Sequence, residues 1–135
     1  MMHHRTLSEN SPYYLPTEEF LTVLHFARQY PNWVAELKTL PDTSKAITYD
    51  TDRVQTSGDY DSNAETAMRR YTIERKKQLI DETVALVAPE IKEFLLLGVA
   101  YGFPFWKLKE KGMPCEKDMY YNRRQRFYYE LSRKM

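Results

Sequence analysis

The sequence has a single cysteine, Cys115, and only four glycines among its 135 residues. One thiol excludes an internal disulfide and a metal site built from several thiolates. So few glycines argue against an all-β fold with many tight turns. The longest apolar run, 94–105, is shorter than the roughly 20 residues that a membrane-spanning helix needs. No signal peptide is recognised behind Met1, so the sequence predicts a mostly helical cytoplasmic protein that does not bind a membrane.

A strong overall charge is also missing, because 20 Lys and Arg residues oppose 19 Asp and Glu residues. The distribution is nevertheless uneven. Residues 103–135 contain nine Lys or Arg and four Asp or Glu, a net charge of +5, which leaves −4 for residues 1–102. A basic segment beside an acidic remainder predicts an anionic partner for the C-terminal end, without identifying it.

Motifs that carry catalysis or bind cofactors are absent as well. The sequence contains no phosphate-binding loop and no dinucleotide fingerprint. The acids of residues 50–61 lack the closing Glu of a calcium loop, and the histidines lack further ligands at metal spacing. A helix N-terminus and Lys117 could lower the pKa of the Cys115 thiol, but without a nearby His we interpret Cys115 as a structural cap. We therefore expect no enzyme, no metal and no cofactor.

The N-terminal part predicts two helices separated by a proline. Thr17, followed by two glutamates, is typical of a helix start, and the apolar stripe behind it continues to Tyr30. Pro31 ends or restarts this helix, and residues 32–40 carry a second short apolar face that packs on the core or forms a dimer.

Further helices are predicted after a polar stretch. One begins between Ser62 and Glu65 and ends near Val87, and the next, 90–101, is apolar on almost all sides and should be central. The predicted fold is therefore all-α. Its parts are an N-terminal arm and helical hairpin (1–40), a polar acidic linker (41–63) and a unit of three to four helices (64–135).

The last thirty residues have the pattern of a helix-turn-helix. Residues 104–111 fit two helical turns, Gly112 begins a tight turn, and a basic helix is predicted from about Cys115 to Lys134. A short helix, a turn with glycine and a longer basic helix is the plan of this motif, and its second helix enters the major groove of DNA.

The final helix should have one apolar and one polar side. At 100° per residue, one side gathers Met119, Tyr120, Arg123, Phe127 and Leu131. We expect three or four of these to pack on the central helix, with the stem of Arg123 at the margin. The polar side carries residue types that bind base edges and phosphates.

The candidate contacts fall into two groups. Base edges are assigned to Lys117, Asp118, Tyr121 and Asn122. Phosphates are assigned to Lys107, Lys109, Lys111, Arg124 and Arg126. Two other interpretations stay open: the polar side is simply solvated, or the tyrosines stack on unpaired bases.

These features resemble a known family. Residues 93–134 resemble the promoter-recognition helix-turn-helix (fourth region) of bacterial sigma factors, with a Leu-rich helix at 94–102, a short helix with Trp106, and a basic helix ending in Leu131. More narrowly, the chain resembles small phage-encoded proteins of the autolysin-regulator and late-gene activator families of phages of Gram-positive bacteria. Segments 52–57 and 113–124 carry this narrower resemblance.

The resemblance implies a phage or prophage regulator that binds double-stranded DNA sequence-specifically and controls late transcription in the bacterial cytoplasm. Because one half-site gives little affinity, a homo-oligomer such as a dimer, or a contact with host RNA polymerase, is expected. Two alternatives belong to other classes. One is an inhibitor that binds a host protein, such as a CRISPR effector or RNA polymerase, and the other is a DNA-packaging or assembly adaptor.

Overall fold

A computed structural model describes residues 11–41 and 57–135, with the side chains of 57–62 excepted. Within these ranges all regular structure is helical, which confirms the all-α prediction. The elements are α1 (Thr17–Arg28), α2 (Tyr30–Thr39), α3 (Ser57–Val87), a 3₁₀ turn (Pro89–Ile91), α4 (Lys92–Tyr101), α5 (Phe105–Glu110) and α6 (Lys117–Lys134). The predicted arm before residue 11 and residues 42–56 of the predicted linker lie outside the described ranges.

Two helix starts differ from the sequence prediction. α2 begins at Tyr30, so Pro31 restarts the helix at a position where its missing N–H interrupts no hydrogen bond. α3 begins at Ser57, earlier than the predicted start between Ser62 and Glu65. A polar opening turn carries no apolar periodicity, and periodicity was the signal on which the predicted start depended.

The chain divides into two compact units. The smaller unit is Asn32–Gln78, and the larger unit joins the residues up to Pro31 with Leu79–Met135. Residues 103–135, which carry the predicted contacts, all belong to the larger unit.

The smaller unit contains two buried apolar residues and an arginine that caps a helix. Trp33 and Ile73 are buried. The Arg70 guanidinium donates hydrogen bonds to the carbonyl oxygens of Leu37 and Leu40, each at 3.3 Å. These carbonyls lie at the end of α2, where no helical N–H remains to satisfy them, so Arg70 caps the helix.

The larger unit is built around α4. This helix contacts α1, α5 and α6, as predicted for a central helix, and its Leu95 and Val99 are fully buried. α1 also packs on α6, where the Phe20 ring meets the Tyr128 ring edge-on at 5.2 Å. Two helices therefore cover the inner side of α6 and leave its other side to solvent.

A glycine permits the close approach of α4 and α6. A Cβ atom on Gly98 would lie only 2.0 Å from the Tyr120 hydroxyl oxygen. Tyr120 itself is 1% exposed, so its ring has little freedom to move away. The absence of a side chain at Gly98 thus leaves the space that the Tyr120 hydroxyl occupies between α4 and α6.

Candidate nucleic-acid interface

The turn between α5 and α6 has a defined hydrogen-bond pattern. Gly112 has a φ of 99°, and its N–H donates to the Lys109 carbonyl at 3.0 Å. The Met113 N–H donates to the Leu108 carbonyl at 3.1 Å, which completes a Schellman motif. Leu108 and Met113 are both buried. The predicted left-handed glycine turn is confirmed, and the core anchors it on both sides.

Lys109 belongs to this turn. Its ammonium donates to the carbonyl oxygens of Met113 at 3.1 Å and Cys115 at 3.2 Å, and lies 3.9 Å from a Glu116 carboxylate oxygen. Three contacts within the chain therefore occupy this cation, which the sequence assigned to phosphate.

The predicted role of Cys115 is wrong. α6 begins at Lys117 with Glu116 at its cap position, so Cys115 lies before the cap. Cys115 is buried, and burial raises the pKa of its thiol. The alternative of a thiol with a lowered pKa required a position at the helix end in contact with water, whereas this thiol packs into the core.

Most of the residues that were predicted on the inward side of α6 are buried. Tyr120, Phe127 and Leu131 are buried as expected, while Met119 and Arg123 are half-buried. Arg123 Nε donates to a Glu90 carboxylate oxygen at 3.2 Å.

The sequence prediction also missed Tyr128, which is 2% exposed. A second helix, α1, packs beside α4, and this contact widens the buried stripe to include Tyr128. The sequence signal that could have indicated the burial of Tyr128 is the run of three aromatic residues from Phe127 to Tyr129.

The outward side of α6 keeps three of the four predicted base contacts exposed. Lys117, Asp118 and Asn122 are exposed, and Tyr121 is half-buried. All four lie in the first two turns of the helix, where spacings of three and four residues place them on neighbouring positions of one surface. The four residues that were assigned to base edges thus form one continuous patch on the surface of α6.

Two of the predicted phosphate contacts lie on α5 and directly after it. Lys107 on α5 and Lys111 at its C-cap are exposed, and both ammonium groups lie over the Phe103 ring, at 4.4 and 5.7 Å from its centroid. On the same helix Trp106 is 62% exposed, a large apolar side chain that the sequence did not assign to the interface. Arg126, on α6, is half-buried.

Arg124, the remaining predicted phosphate contact, is packed against the aromatic rings. Its guanidinium carbon lies 4.7 Å from the Tyr121 ring centroid, and its Nε is buried without a hydrogen-bond acceptor among the described residues. Burial raises the pKa of Tyr120 and of Tyr128, and the nearby Arg124 charge opposes this effect at both phenols. Arg124 therefore lies at the boundary between the core and the polar patch.

The described residues contain no group of three or more His, Cys, Asp or Glu side chains that could hold a metal ion. In the same ranges, no helix has the combination of length and apolar character that crossing a bilayer requires. Comparison with protein-family models, curated proteins and solved structures finds no match to this chain.

Proposed function

We propose that this chain is a phage or prophage transcription regulator that binds double-stranded DNA sequence-specifically through α5, the turn and α6. The observation that carries the proposal is the division of α6 into two sides. Its apolar side packs on α1 and α4, while its first two turns present Lys117, Asp118 and Asn122 to solvent. These residue types match the hydrogen-bonding groups that bases present in the major groove.

In this proposal α6 lies in the major groove and α5 lies across the sugar–phosphate backbone. Lys117 and Asn122 donate to purine edges, and Asp118 accepts from cytosine. Lys107 and Lys111 bind phosphates and supply affinity without sequence preference. The net charge of +5 over residues 103–135 attracts DNA to this end of the chain.

A single helix-turn-helix recognises one half-site, which rarely gives tight binding. The proposed regulator therefore acts as a homodimer on a repeated site, or beside RNA polymerase at a promoter. Either arrangement places its activity in the cytoplasm of the bacterial host. The mechanism is one of positioning, and the proposal includes no chemical step.

The test is a binding titration at several salt concentrations, with a duplex selected from a random library. Lys107→Ala, which removes a proposed phosphate contact, should weaken binding and reduce the slope of log affinity against log salt by about 0.9. Lys117→Ala should weaken binding to the selected duplex through loss of a base contact. Lys134→Ala is the matched control, because it removes the same charge from an exposed position at the far end of the same helix. Asn122→Ala should reduce discrimination against mismatched bases by about 1–3 kcal/mol while the salt slope stays unchanged.

Two outcomes would contradict the proposal. One is equal loss of binding in the Lys117 and Lys134 variants, which would indicate diffuse attraction without a docked helix. The other is a folded chain that binds no duplex. If that chain formed a stable complex with a host protein after nuclease treatment, the result would support the inhibitor alternative.

A further inference from the structure

We propose that Arg124 is a positioning residue of this interface, which holds the Tyr121 ring in place for base recognition. This inference depends on the proposed function. It changes the role of one residue that the sequence assigned to the DNA backbone. It also makes Tyr121 a determinant of sequence specificity, because its ring orientation is set before DNA arrives.

The first support is the environment of the Arg124 guanidinium. A guanidinium that grips a phosphate with two hydrogen bonds presents two N–H groups on one open edge. Here Nε is buried, and the guanidinium carbon lies 4.7 Å from the Tyr121 ring centroid, a distance suited to a cation–π contact. The edge that contains Nε is therefore closed to a phosphate, while the contact with the ring is already formed.

The second support is that Tyr121 is surrounded on its other sides. The Phe105 ring lies 6.1 Å away at an angle of 32°, and the Tyr120 ring lies 5.2 Å away at 68°. Phe105 also contacts Tyr120, at 5.8 Å. Because Tyr120 is fully buried, this group of rings is anchored to the core. Arg124 completes the group and leaves Tyr121 only half-buried, beside the exposed base-contact candidates.

The third support is a comparison with the neighbouring arginine. Arg123 donates to Glu90 and so ties α6 to the 3₁₀ turn that precedes α4. Arg124 lies over the Tyr121 ring of its own helix instead, and its Nε is buried. Both arginines are therefore engaged by the fold itself, and Arg126 is the remaining arginine of this stretch for phosphate.

The consequence for recognition follows from conformational entropy. An aromatic side chain that is already fixed loses less freedom when it meets a base than one that rotates in solvent. Loss of the Arg124 stack would release the Tyr121 ring. The expected effect is weaker binding to the correct sequence, with little change for unrelated sequences.

The experiment uses Arg124→Lys, which keeps the positive charge but lacks the planar group that stacks. Affinity for the selected duplex should fall by about twofold to tenfold, the factor expected when binding must immobilise one additional side chain. Affinity for an unrelated duplex and the salt slope should stay at the values of the unmodified chain. Arg133→Lys is the matched control, because Arg133 is exposed on the same helix, has no assigned DNA contact, and also lies over a tyrosine ring, that of Tyr129, at 5.5 Å. This variant should bind both duplexes unchanged.

A second variant separates positioning from a general structural effect. In the Tyr121→Ala background, Arg124→Lys should have no further effect on the preference for the selected duplex, because the residue that Arg124 positions is gone. Tyr121→Ala alone should reduce the same preference. Thermal melting of each variant, followed by circular dichroism, checks that the chain is folded.

Several results would overturn the inference. One is Arg124→Lys binding both duplexes like Arg133→Lys, because the contact with the Tyr121 ring would then have no effect on recognition. Another is an undiminished preference in Tyr121→Ala, which stays decisive even if Arg124→Lys fails to fold. Both leave the proposed function intact when the unmodified chain binds the selected duplex. If the unmodified chain binds no duplex, the proposed function fails and this inference fails with it.

Discussion

Gly98→Ala tests how closely α6 is held against α4. The added methyl group would lie 2.0 Å from the Tyr120 hydroxyl oxygen, well inside van der Waals contact. The next atom of that ring, Cζ, would lie 3.2 Å away. Removal of the hydroxyl by Tyr120→Phe therefore removes most of the clash while the ring stays in place.

The magnitude follows from two opposing effects. Overpacking of a core by one methyl group costs about 1–3 kcal/mol, and replacement of glycine by alanine inside a helix gains about 1 kcal/mol. Gly98→Ala should thus destabilise the chain by up to about 2 kcal/mol. In the Tyr120→Phe background the helix gain should dominate, and the change should be neutral or stabilising. The expected coupling between the two sites is about 1–3 kcal/mol.

Urea denaturation of the four chains, followed by circular dichroism, gives this coupling directly. Tyr129→Phe is the control background, because Tyr129 is a half-buried tyrosine of the same helix whose ring lies against Tyr13. Gly98→Ala should cost as much in that background as in the unmodified chain. An equal cost in the Tyr120→Phe background would refute the contact and, with it, the described position of α6 on α4.

Three further predictions concern the same unit. Gly112→Ala should destabilise the chain by about 1–2 kcal/mol in urea denaturation. The cause is backbone strain alone, because φ is 99° and no neighbouring atom lies within 4 Å of the new methyl group. An unchanged midpoint of urea denaturation would contradict the described turn. The buried Cys115 thiol, whose pKa is raised, should react slowly with a chromogenic thiol reagent in the native chain and rapidly in urea. A fast reaction in the native chain would contradict the burial of this thiol. Burial raises the pKa of Tyr30, Tyr120 and Tyr128 above the unfolded value of 10.0, so the stability that these phenols contribute should be constant below that pH and fall as pH rises above it. Tyr30→Phe should make this alkaline loss less steep.

The fold could be predicted largely from local signals. Gly102 ends α4 with a φ of 76°, and Gly112 turns the chain before α6, as their lack of a side chain suggested. The apolar character of residues 94–101 likewise indicated the central helix. The start of α3 at Ser57 could not be predicted in this way, because its opening turns contain few apolar residues.

The candidate site was predicted less completely, and the reason is tertiary structure. Helical spacing alone placed Lys117, Asp118 and Asn122 on an exposed surface. A charge in the sequence does not indicate its partner, however. Lys109 binds carbonyl groups of its own turn, and Arg124 stacks on Tyr121. Both contacts depend on distances that only the folded chain defines.

The most direct test of the central claim is selection of DNA by the full chain from a random duplex library, followed by sequencing of the bound fraction. The account predicts enrichment of one short motif, and it predicts that Asn122→Ala relaxes the preference at a defined position of that motif. No enrichment by a folded chain, or the same enrichment after simultaneous replacement of Lys117, Asp118 and Asn122 by alanine, would contradict it.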